Sequence, residues 1–230
     1  MLEALREDVC AANLAIKEAG LVTLTWGNVS GLDPATRSMA IKPSGVSYAE
    51  LTPDKIVVLA VDSGEVLWGE LRPSSDTPTH LVLYRAFEGI SGIVHSHSTH
   101  ATAWAQARRP IPAYGTTHAD HFRGAVPCTR MLTAAEMAEE YEADTGRVIA
   151  ETYRRLDPHE HPSVLVAGHG PFAWGPTPAK AVENAIVLEE VARMASLTEA
   201  AAQDPRPIPR TLLDRHFLRK HGKDAYYGQR

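Results

Sequence analysis

Apolar residues recur at helical spacing over the first part of the chain. Successive members lie three or four positions apart, which places them on one face of a helix: Leu2, Leu5, Val9, Ala12 and Ile16. Gly20 follows this run, and glycine is the residue that most often ends a helix in the left-handed conformation. The pattern predicts an amphipathic helix over residues 2–19.

Two further helices are indicated by a threonine that precedes a proline. Thr77–Pro78 and Thr177–Pro178 each combine a helix-capping residue with a proline that fits the first helical turn. The apolar spacing that follows predicts one helix as far as about Phe87 and a longer one as far as about Ala202.

Other helices are predicted in the second half of the chain and beside the first histidine cluster. Thr133 and Glu136 have the spacing of a capping box, which predicts a helix to about Arg155, with Gly146 as the point where it can bend. Shorter helices are predicted in HATAWAQA and, after the proline-rich linker QDPRPIP, in TLLDRHFLRKHG.

Strand-like segments rich in valine, isoleucine and threonine fill the intervals between these helices. Two pairs of them are separated by turn sequences and predict hairpins. Helices at the start, middle and end, with hairpins between them, predict an α/β fold in which a three-layer α/β/α sandwich encloses a central mixed, mainly antiparallel sheet. Residues 1–230 are interpreted as one domain. The strand-like segments are 21–33, 39–42, 55–62 with 65–69, 92–98, and 163–170 with 171–175.

Composition narrows the class of protein. The 230 residues are 44% hydrophobic and 22% charged, the balance of a globular domain rather than a disordered or fibrous chain. A formal net charge of −5 gives no support to a nucleic-acid partner. Nothing predicts a membrane span or a signal peptide. Cys10 and Cys128 form no CxxC pair, so a disulfide framework is not expected and a cytoplasmic location is the expectation.

Histidines occur in two H-x-H pairs of contrasting context. His95 and His97 end the apolar run GIVHSHS, and alternate residues of a strand share a face, so both imidazoles can reach one ion. The alternative is a pair of hydrogen-bonded histidines at a strand end. His159 and His161 lie in the polar stretch LDPHEHPS and are interpreted as part of a solvated loop. His169, between two glycines, is a third candidate, and three neutral imidazoles would hold Zn²⁺ with one open position.

A candidate anion site precedes the predicted helix at Thr77. Ser74 and Ser75 lie where free backbone N–H groups and the positive end of the helix dipole favour a phosphate. Asp76, in the same segment, either caps the helix or turns towards the metal.

Two glycine-containing segments are weaker candidates for anion binding. KPSGV combines Lys42 with a tight turn at Ser44 and Gly45, which can surround an anion with backbone N–H groups and one ammonium, although it equally fits a surface turn. TWGNVS adds Gly27 and Asn28. Neither a P-loop nor a glycine-rich dinucleotide fingerprint occurs in the sequence.

The chain resembles the class II aldolase/epimerase family, and most closely its sugar-phosphate epimerases. The resemblance covers essentially the whole sequence except residues 157–162, which do not align residue by residue. It is carried by segments in this order: TLTWGNVS, IKPSGV, RPSSDTPTH, GIVHSHSTHAT, GTTHAD, VPCTR, GHGPFAWG, NAIVLEEVA and LRKHG-x-x-AYYGQ.

This resemblance implies a metal site. It assigns His95, His97 and His169 to one Zn²⁺ per subunit, for which Mn²⁺ or Co²⁺ can substitute, with Asp76 near or on the ion. In the related aldolases, the position that is similar to Asp76 holds a glutamate that acts as acid and base. The shorter aspartate therefore favours the epimerases.

The resemblance also implies the rest of the site and the assembly. Asp120 and Tyr227 are similar to an acid/base pair. A homotetramer is implied in which Tyr227 reaches the zinc site of the neighbouring subunit. Lys42 lies beside the residues that the resemblance assigns to a sugar-phosphate substrate, which are Gly27, Asn28, Ser44, Gly45, Ser74 and Ser75.

The reaction implied is the interconversion of L-ribulose 5-phosphate and D-xylulose 5-phosphate at C4. Because the C4 hydrogen is not acidic, the expected route is retro-aldol cleavage, rotation of the aldehyde and aldol re-addition. A zinc-dependent sugar-phosphate aldolase of the L-fuculose-1-phosphate type is the nearest alternative. A zinc hydrolase would need a base such as that of HExxH, and a structural zinc site favours cysteines; the sequence has neither feature. The sequence leaves open whether the pathway is arabinose, ascorbate or other pentose catabolism.

Overall fold

A computed structural model of the protein, which describes residues 1–227, contains one seven-stranded sheet. All six ladders between its strands are antiparallel, and the strand order is β4-β3-β2-β1-β5-β7-β6. The strands are β1 Asn28–Asp33, β2 Ser38–Ile41, β3 Val57–Ala60, β4 Val66–Trp68, β5 Gly92–His95, β6 Ser163–Leu165 and β7 Pro171–Gly175.

Eight α-helices are found in the described part of the chain. Among residues 1–227, no helix combines the length and the apolar character needed to cross a membrane. The helices are α1 Glu3–Glu18, α2 Thr77–Ala86, α3 Thr99–Gln106, α4 Thr116–Ala119, α5 Ala134–Ala138, α6 Tyr141–Thr152, α7 Pro178–Ala201 and α8 Arg210–His221, with 3-10 turns at Tyr48–Glu50, Pro53–Lys55 and Tyr153–Arg155.

The central strand β5 shows how helices cover both faces of the sheet. Ile93 packs in a core cluster that includes Leu83 of α2 and Val148 of α6. Val94, its neighbour, points to the opposite face and packs in a cluster with residues of α1 and α7 such as Ile16. The predicted three-layer α/β/α sandwich is confirmed, and its sheet is antiparallel through all seven strands.

Most predicted elements are present, including α1, both hairpins, and α7 with Thr177 accepting a hydrogen bond from the Lys180 N–H. The strand predicted from residue 21 is shorter, because Leu24 and Gly27 have positive φ values of 52° and 78° and turn the backbone. Strand β1 begins only at Asn28.

The helix predicted from Thr133 to Arg155 is interrupted between Ala138 and Tyr141 and not at Gly146. The capping box of Thr133 and Glu136 is formed, but α5 ends at Ala138 and α6 begins at Tyr141, whereas the backbone is helical through Gly146. A Cβ atom at Gly146 would lie 2.7 Å from the Val82 side chain of α2. This glycine therefore allows two helices to pack closely and does not bend one.

The N-terminal helix is tied to the first strand through a buried amide. The Asn13 side chain donates to the Val29 carbonyl (3.0 Å) and accepts from the Val29 N–H (2.9 Å). The pairing of β1 with β2 stops at Ser30 and Ile41, so Val29, the next residue of β1, has no partner in β2. On its other side, Val29 still pairs with Val94 of β5. The amide thus satisfies the backbone where β2 leaves the sheet.

Candidate active site

One cavity of about 520 Å³ gathers the residues that the sequence analysis assigned to substrate and metal. It opens where β1 begins and β5 ends, beside the start of α2. The lining includes Gly27, Asn28, Lys42, Ser44, Gly45, Ser74, Ser75, Asp76, His95, His97 and His169.

Three histidines, called the triad below, form a group that can hold a metal ion. Ligand atoms of His95, His97 and His169 all lie within 4.8 Å of one another, and the Nε2 atoms of His95 and His97 are 3.2 Å apart. His95 ends β5, and His169 lies in the turn between β6 and β7, which pairs with β5. The antiparallel pairing of β5 with β7 therefore brings the third histidine to the first two.

Hydrogen bonding and burial prepare these imidazoles as ligands. The Nδ1 atom of His95 lies 3.0 Å from the Pro171 carbonyl oxygen, which can only accept, so Nδ1 carries the proton and Nε2 keeps its lone pair. Burial, with the neighbouring histidines, lowers the pKa of His97 and lowers that of His169 to about 4. Neutral imidazoles with clustered nitrogens fit a divalent cation.

Asp76 faces the cavity and does not use its side chain to cap α2. It occupies the N-cap position, whereas Thr77, predicted as the cap, is the first helical residue. The Asp76 carboxylate accepts from the Asn28 amide (2.7 Å), which also donates to the Ser74 hydroxyl (3.1 Å). Burial acts to raise the pKa of Asp76, but nearby His95 and the Asn28 hydrogen bond prevail and lower it. Asp76 is thus an anionic group beside the triad, although it lies outside the close group of three ligands.

Lys42 supplies an almost completely buried cation. Its side chain is 2% exposed and lines the cavity together with the turn at Ser44 and Gly45. Its ammonium lies 3.4 Å from the Pro43 carbonyl, and no carboxylate among residues 1–227 pairs with it. Burial lowers the pKa of Lys42. A buried ammonium without a counter-ion favours an anionic ligand.

Two glycines allow the segments around the triad to approach closely. A Cβ atom at Gly27 would lie 2.8 Å from the His95 carbonyl oxygen, and one at Gly170 would lie 2.9 Å from the Ser96 carbonyl oxygen. The loops that carry Asn28 and His169 therefore pack directly on the strand that carries His95.

The sequence analysis did not assign five further residues of the cavity wall: Thr25, Trp26, Pro43, Tyr141 and Glu142. The Tyr141 hydroxyl lies 3.3 Å from Nδ1 of His169, and the Trp26 ring lies 6.2 Å from that of His97. Tyr141 and Glu142 begin α6, and the helix break before them turns them into the cavity. The break itself consists of Glu139 and Glu140, and glutamate is not a residue type that signals a helix interruption.

Asp120 and Tyr227 lie together, but not in the cavity lining. The Asp120 carboxylate accepts from Arg219 (2.9 Å) and from His216 (3.0 Å), both on α8. Burial acts to raise the pKa of Asp120, and these two hydrogen bonds lower it overall. The Tyr227 ring lies 4.4 Å from the same guanidinium and is 55% exposed. Arg219 therefore joins the two residues in a cluster on α4 and α8.

The second H-x-H pair fits the predicted solvated loop at one of its two positions. His159 is exposed, and its Nε2 donates to the Glu88 carbonyl oxygen at 3.1 Å, whereas His161 is only 8% exposed. His161 packs against Gly124, and a Cβ atom there would lie 3.0 Å from its ring. Neither residue belongs to a group of potential ligands in the described chain.

Comparisons with known proteins agree over the whole length of the chain. L-ribulose-5-phosphate 4-epimerase UlaF of Salmonella paratyphi A and that of Salmonella typhi are each 51% identical to it over 229 residues, which covers 100% of both chains in each case. The solved structure of an L-fuculose 1-phosphate aldolase is similar with a TM-score of 0.79 and 26% identity, and the match covers 93% of this chain and 94% of that one.

The family profile described as class II aldolase and adducin N-terminal domain matches residues 7–196. That range contains the complete histidine triad and the sheet that positions it. The resemblance noted from the sequence motifs is confirmed, and the chain belongs to the class II aldolase family.

Proposed function

We propose that this protein is an L-ribulose-5-phosphate 4-epimerase that uses one Zn²⁺ per chain, with Mn²⁺ or Co²⁺ able to replace it. The observation that carries the proposal is one cavity with a group of three histidines and the buried Lys42, whose ammonium pairs with no carboxylate among residues 1–227. Such a cavity can hold a sugar phosphate at two points. The full-length relatives at 51% identity support the choice of reaction.

The phosphate end of the substrate is assigned to cavity residues other than the three histidines. Lys42 supplies positive charge there, and Ser44 and Gly45 supply a tight turn. Ser74 and Ser75 lie just before α2, where backbone N–H groups and the helix dipole favour an anion. Gly27 and Asn28 complete the site. The buried Asn28 Oδ1 atom has no partner within the described structure and is free to accept from a sugar hydroxyl.

The reacting end is assigned to the histidines. An ion bound by His95, His97 and His169, with Asp76 near or on it, would polarise adjacent carbonyl and hydroxyl oxygens of the substrate and ease cleavage next to them. The protein fixes the orientation of His95 through Pro171, and burial lowers the pKa of His97 and of His169, which favours their neutral forms.

The chemistry then requires only proton transfers and restraint from the protein. A base takes the C4 hydroxyl proton, the C3–C4 bond breaks, and its electron pair stays with the three-carbon fragment. The cavity holds the resulting glycolaldehyde phosphate by its phosphate while the aldehyde group rotates. Re-addition forms the C3–C4 bond on the other face, and an acid returns a proton to the C4 oxygen.

Two groups on opposite sides of C4 are needed, and Asp120 and Tyr227 are proposed for them. Neither lines the cavity of its own chain, and Tyr227 is largely exposed. A general acid or base has to come within hydrogen-bond distance of its proton. We therefore infer a cyclic homotetramer, in which the α4 and α8 cluster of one chain completes the cavity of the next.

The reaction is tested by incubating metal-loaded protein with L-ribulose 5-phosphate and following the products by NMR. D-xylulose 5-phosphate should form without accumulation of glycolaldehyde phosphate. Lys42→Met should raise KM, because it removes the only charge proposed for the phosphate end. Equal turnover of the unphosphorylated ketose would contradict the assignment of this anion site.

The similarity to an L-fuculose 1-phosphate aldolase makes aldol cleavage the second candidate. The same NMR experiment separates the two functions. Net release of an aldehyde fragment, or cleavage of L-fuculose 1-phosphate at a higher rate than epimerisation, would identify an aldolase instead.

The shared site is tested by complementation between two inactive variants. His97→Asn removes a proposed metal ligand, and Tyr227→Phe removes the proposed acid or base. Co-expressed chains should form some interfaces that pair an intact triad with an intact tyrosine, so activity should rise well above that of either parent. Verified hybrid oligomers that stay as inactive as their parents would show that Tyr227 acts within its own chain or not at all.

A further inference from the structure

Tyr48 lies beneath the cavity and contacts two of its walls. It is part of the 3-10 turn Tyr48–Glu50 and is 5% exposed. Its hydroxyl lies 3.0 Å from the Trp26 carbonyl oxygen and 2.9 Å from that of Gly27, so one O–H group donates to both. The hydroxyl therefore fixes the turn that leads into Asn28.

That turn has little freedom once it is fixed. Gly27 adopts a φ of 78°, and a Cβ atom there would lie 2.8 Å from the His95 carbonyl oxygen. The turn is thus held between the end of β5 and the Tyr48 hydroxyl. A shift of the hydroxyl would move the backbone beside Asn28 relative to the histidines.

The ring of Tyr48 contacts the opposite wall. The Lys42 ammonium lies 4.9 Å from the ring centroid, which is the geometry of a cation–π interaction. Such a contact stabilises a buried ammonium and leaves its full positive charge available. A carboxylate in the same place would neutralise that charge and compete with a phosphate.

We propose that Tyr48 is a positioning residue for the phosphate end of the substrate. Its ring face places the Lys42 ammonium, and its hydroxyl places the Gly27 turn, so one side chain sets the distance between the two halves of the anion site. This inference rests on the proposed function, specifically on phosphate binding by Lys42.

Two substitutions separate the contributions of the ring and the hydroxyl. Tyr48→Phe keeps the ring under Lys42 and removes the hydrogen bonds, and the dissociation constant for inorganic phosphate should rise about fivefold. Tyr48→Leu removes both contacts, and the constant should rise about 30-fold or more. The KM for L-ribulose 5-phosphate should increase in the same order, with a smaller change in kcat. Metal content should stay at the wild-type level.

Tyr153 provides a matched control. It is also 5% exposed, and its hydroxyl also lies close to two carbonyl oxygens, those of His161 (2.8 Å) and Ser163 (2.6 Å). It lies in the core cluster between α2, α6 and the sheet and not in the cavity lining. Tyr153→Phe should lower the free energy of unfolding as Tyr48→Phe does, and should leave phosphate affinity and KM unchanged.

The titrations use metal-loaded protein and inorganic phosphate, with Lys42→Met as a further variant. Strong binding by wild type, loss in Lys42→Met, and wild-type affinity in both Tyr48 variants would overturn this inference and leave the proposed function intact. Equal loss in Tyr48→Phe and Tyr153→Phe would also overturn it, because the effect would then be one of general stability. No measurable binding by wild type, or wild-type affinity in Lys42→Met, would contradict the anion site itself and the role of Tyr48 with it.

Discussion

The pairs His95–His97 and His159–His161 have the same spacing and lie on different kinds of backbone. The first pair ends β5, whose neighbour β7 is preceded by the turn that carries His169. The second pair lies in the turn before β6, where His159 donates to the carbonyl of Glu88, a residue just after α2, and His161 is buried against Gly124.

The difference shows that the grouping of histidine side chains around one point depends more on the neighbouring strands than on the H-x-H spacing itself. A strand end places alternate side chains on one face and also fixes where the adjacent strand begins. Phe172 of β7 stacks on His95 with ring centroids 4.2 Å apart and holds it in place. No aromatic ring of the described chain stacks on His159, whose Nε2 instead bonds to the Glu88 carbonyl oxygen. The second pair therefore connects its turn to neighbouring loops and brings no third histidine close.

The largest expected difference between the pairs is in metal affinity. Loss of a residue that hydrogen-bonds a metal ligand typically lowers metal affinity about 10–100-fold. His97→Asn should lower metal affinity by more than this, because it removes a proposed ligand itself. His159→Asn should bind metal as wild type does. Metal content per chain, measured by mass spectrometry after dialysis, checks both. Full occupancy in His97→Asn would show that the first pair is as structural as the second.

Two glycine variants should sharpen the contrast with a smaller effect. An alanine Cβ at position 170 would lie 2.9 Å from the Ser96 carbonyl oxygen, so Gly170→Ala should displace His169 and weaken metal binding about tenfold, at a cost in stability of about 1–3 kcal/mol. At position 124 the close atom is instead in the His161 ring. Gly124→Ala should cost about 1 kcal/mol and leave metal affinity unchanged. Unchanged metal binding in both variants would remove the proposed link between the glycine and the triad.

Within the second pair, the two histidines should differ in their effect on the free energy of unfolding, because only His161 is buried. His161→Asn should lower the free energy of unfolding by about 1–2 kcal/mol, because it removes a buried ring. His159→Asn should change it by less than about 0.5 kcal/mol. Urea denaturation of the two variants measures both values. Equal changes in the free energy of unfolding would mean that the burial of His161 does not contribute to stability.

The smallest expected effect is a dependence of this stability difference on pH. Burial lowers the pKa of His161 in the folded protein, so the unfolded chain takes up the proton first as the pH falls. Its contribution to stability is complete above the unfolded pKa of about 6.5 and is lost below it. The gap between wild type and His161→Asn should therefore narrow from pH 7 to pH 5. A gap that stays constant over this range would contradict the direction of the shift.

Local signals in the sequence were sufficient for the elements that carry the triad. Periodic apolar residues and caps predicted α1 and α7, and the apolar runs around His95 and His169 predicted the strands that bring them together. The family resemblance then indicated the residues proposed to bind the substrate, each of which lines the cavity.

Other features depend on contacts that no local pattern contains. Gly146 resembles a bend in sequence, but its lack of a side chain is used for packing against Val82. The burial of His161 follows from the position of a distant loop at Gly124. Tyr141 reaches the cavity only because the helix breaks one turn after a well-formed capping box.

The pairing of Asn13 with Val29 has a consequence for how the fold tolerates a departing strand. A strand that leaves a sheet early takes away partners of the backbone groups beside it, and at Val29 and Asn13, both 0% exposed, no water replaces them. Here the amide of Asn13 occupies both backbone groups of Val29, so β2 can diverge at Ile41, just before the cavity residue Lys42. One side chain on α1 thus allows the sheet to open beside the cavity without leaving a buried peptide group unsatisfied.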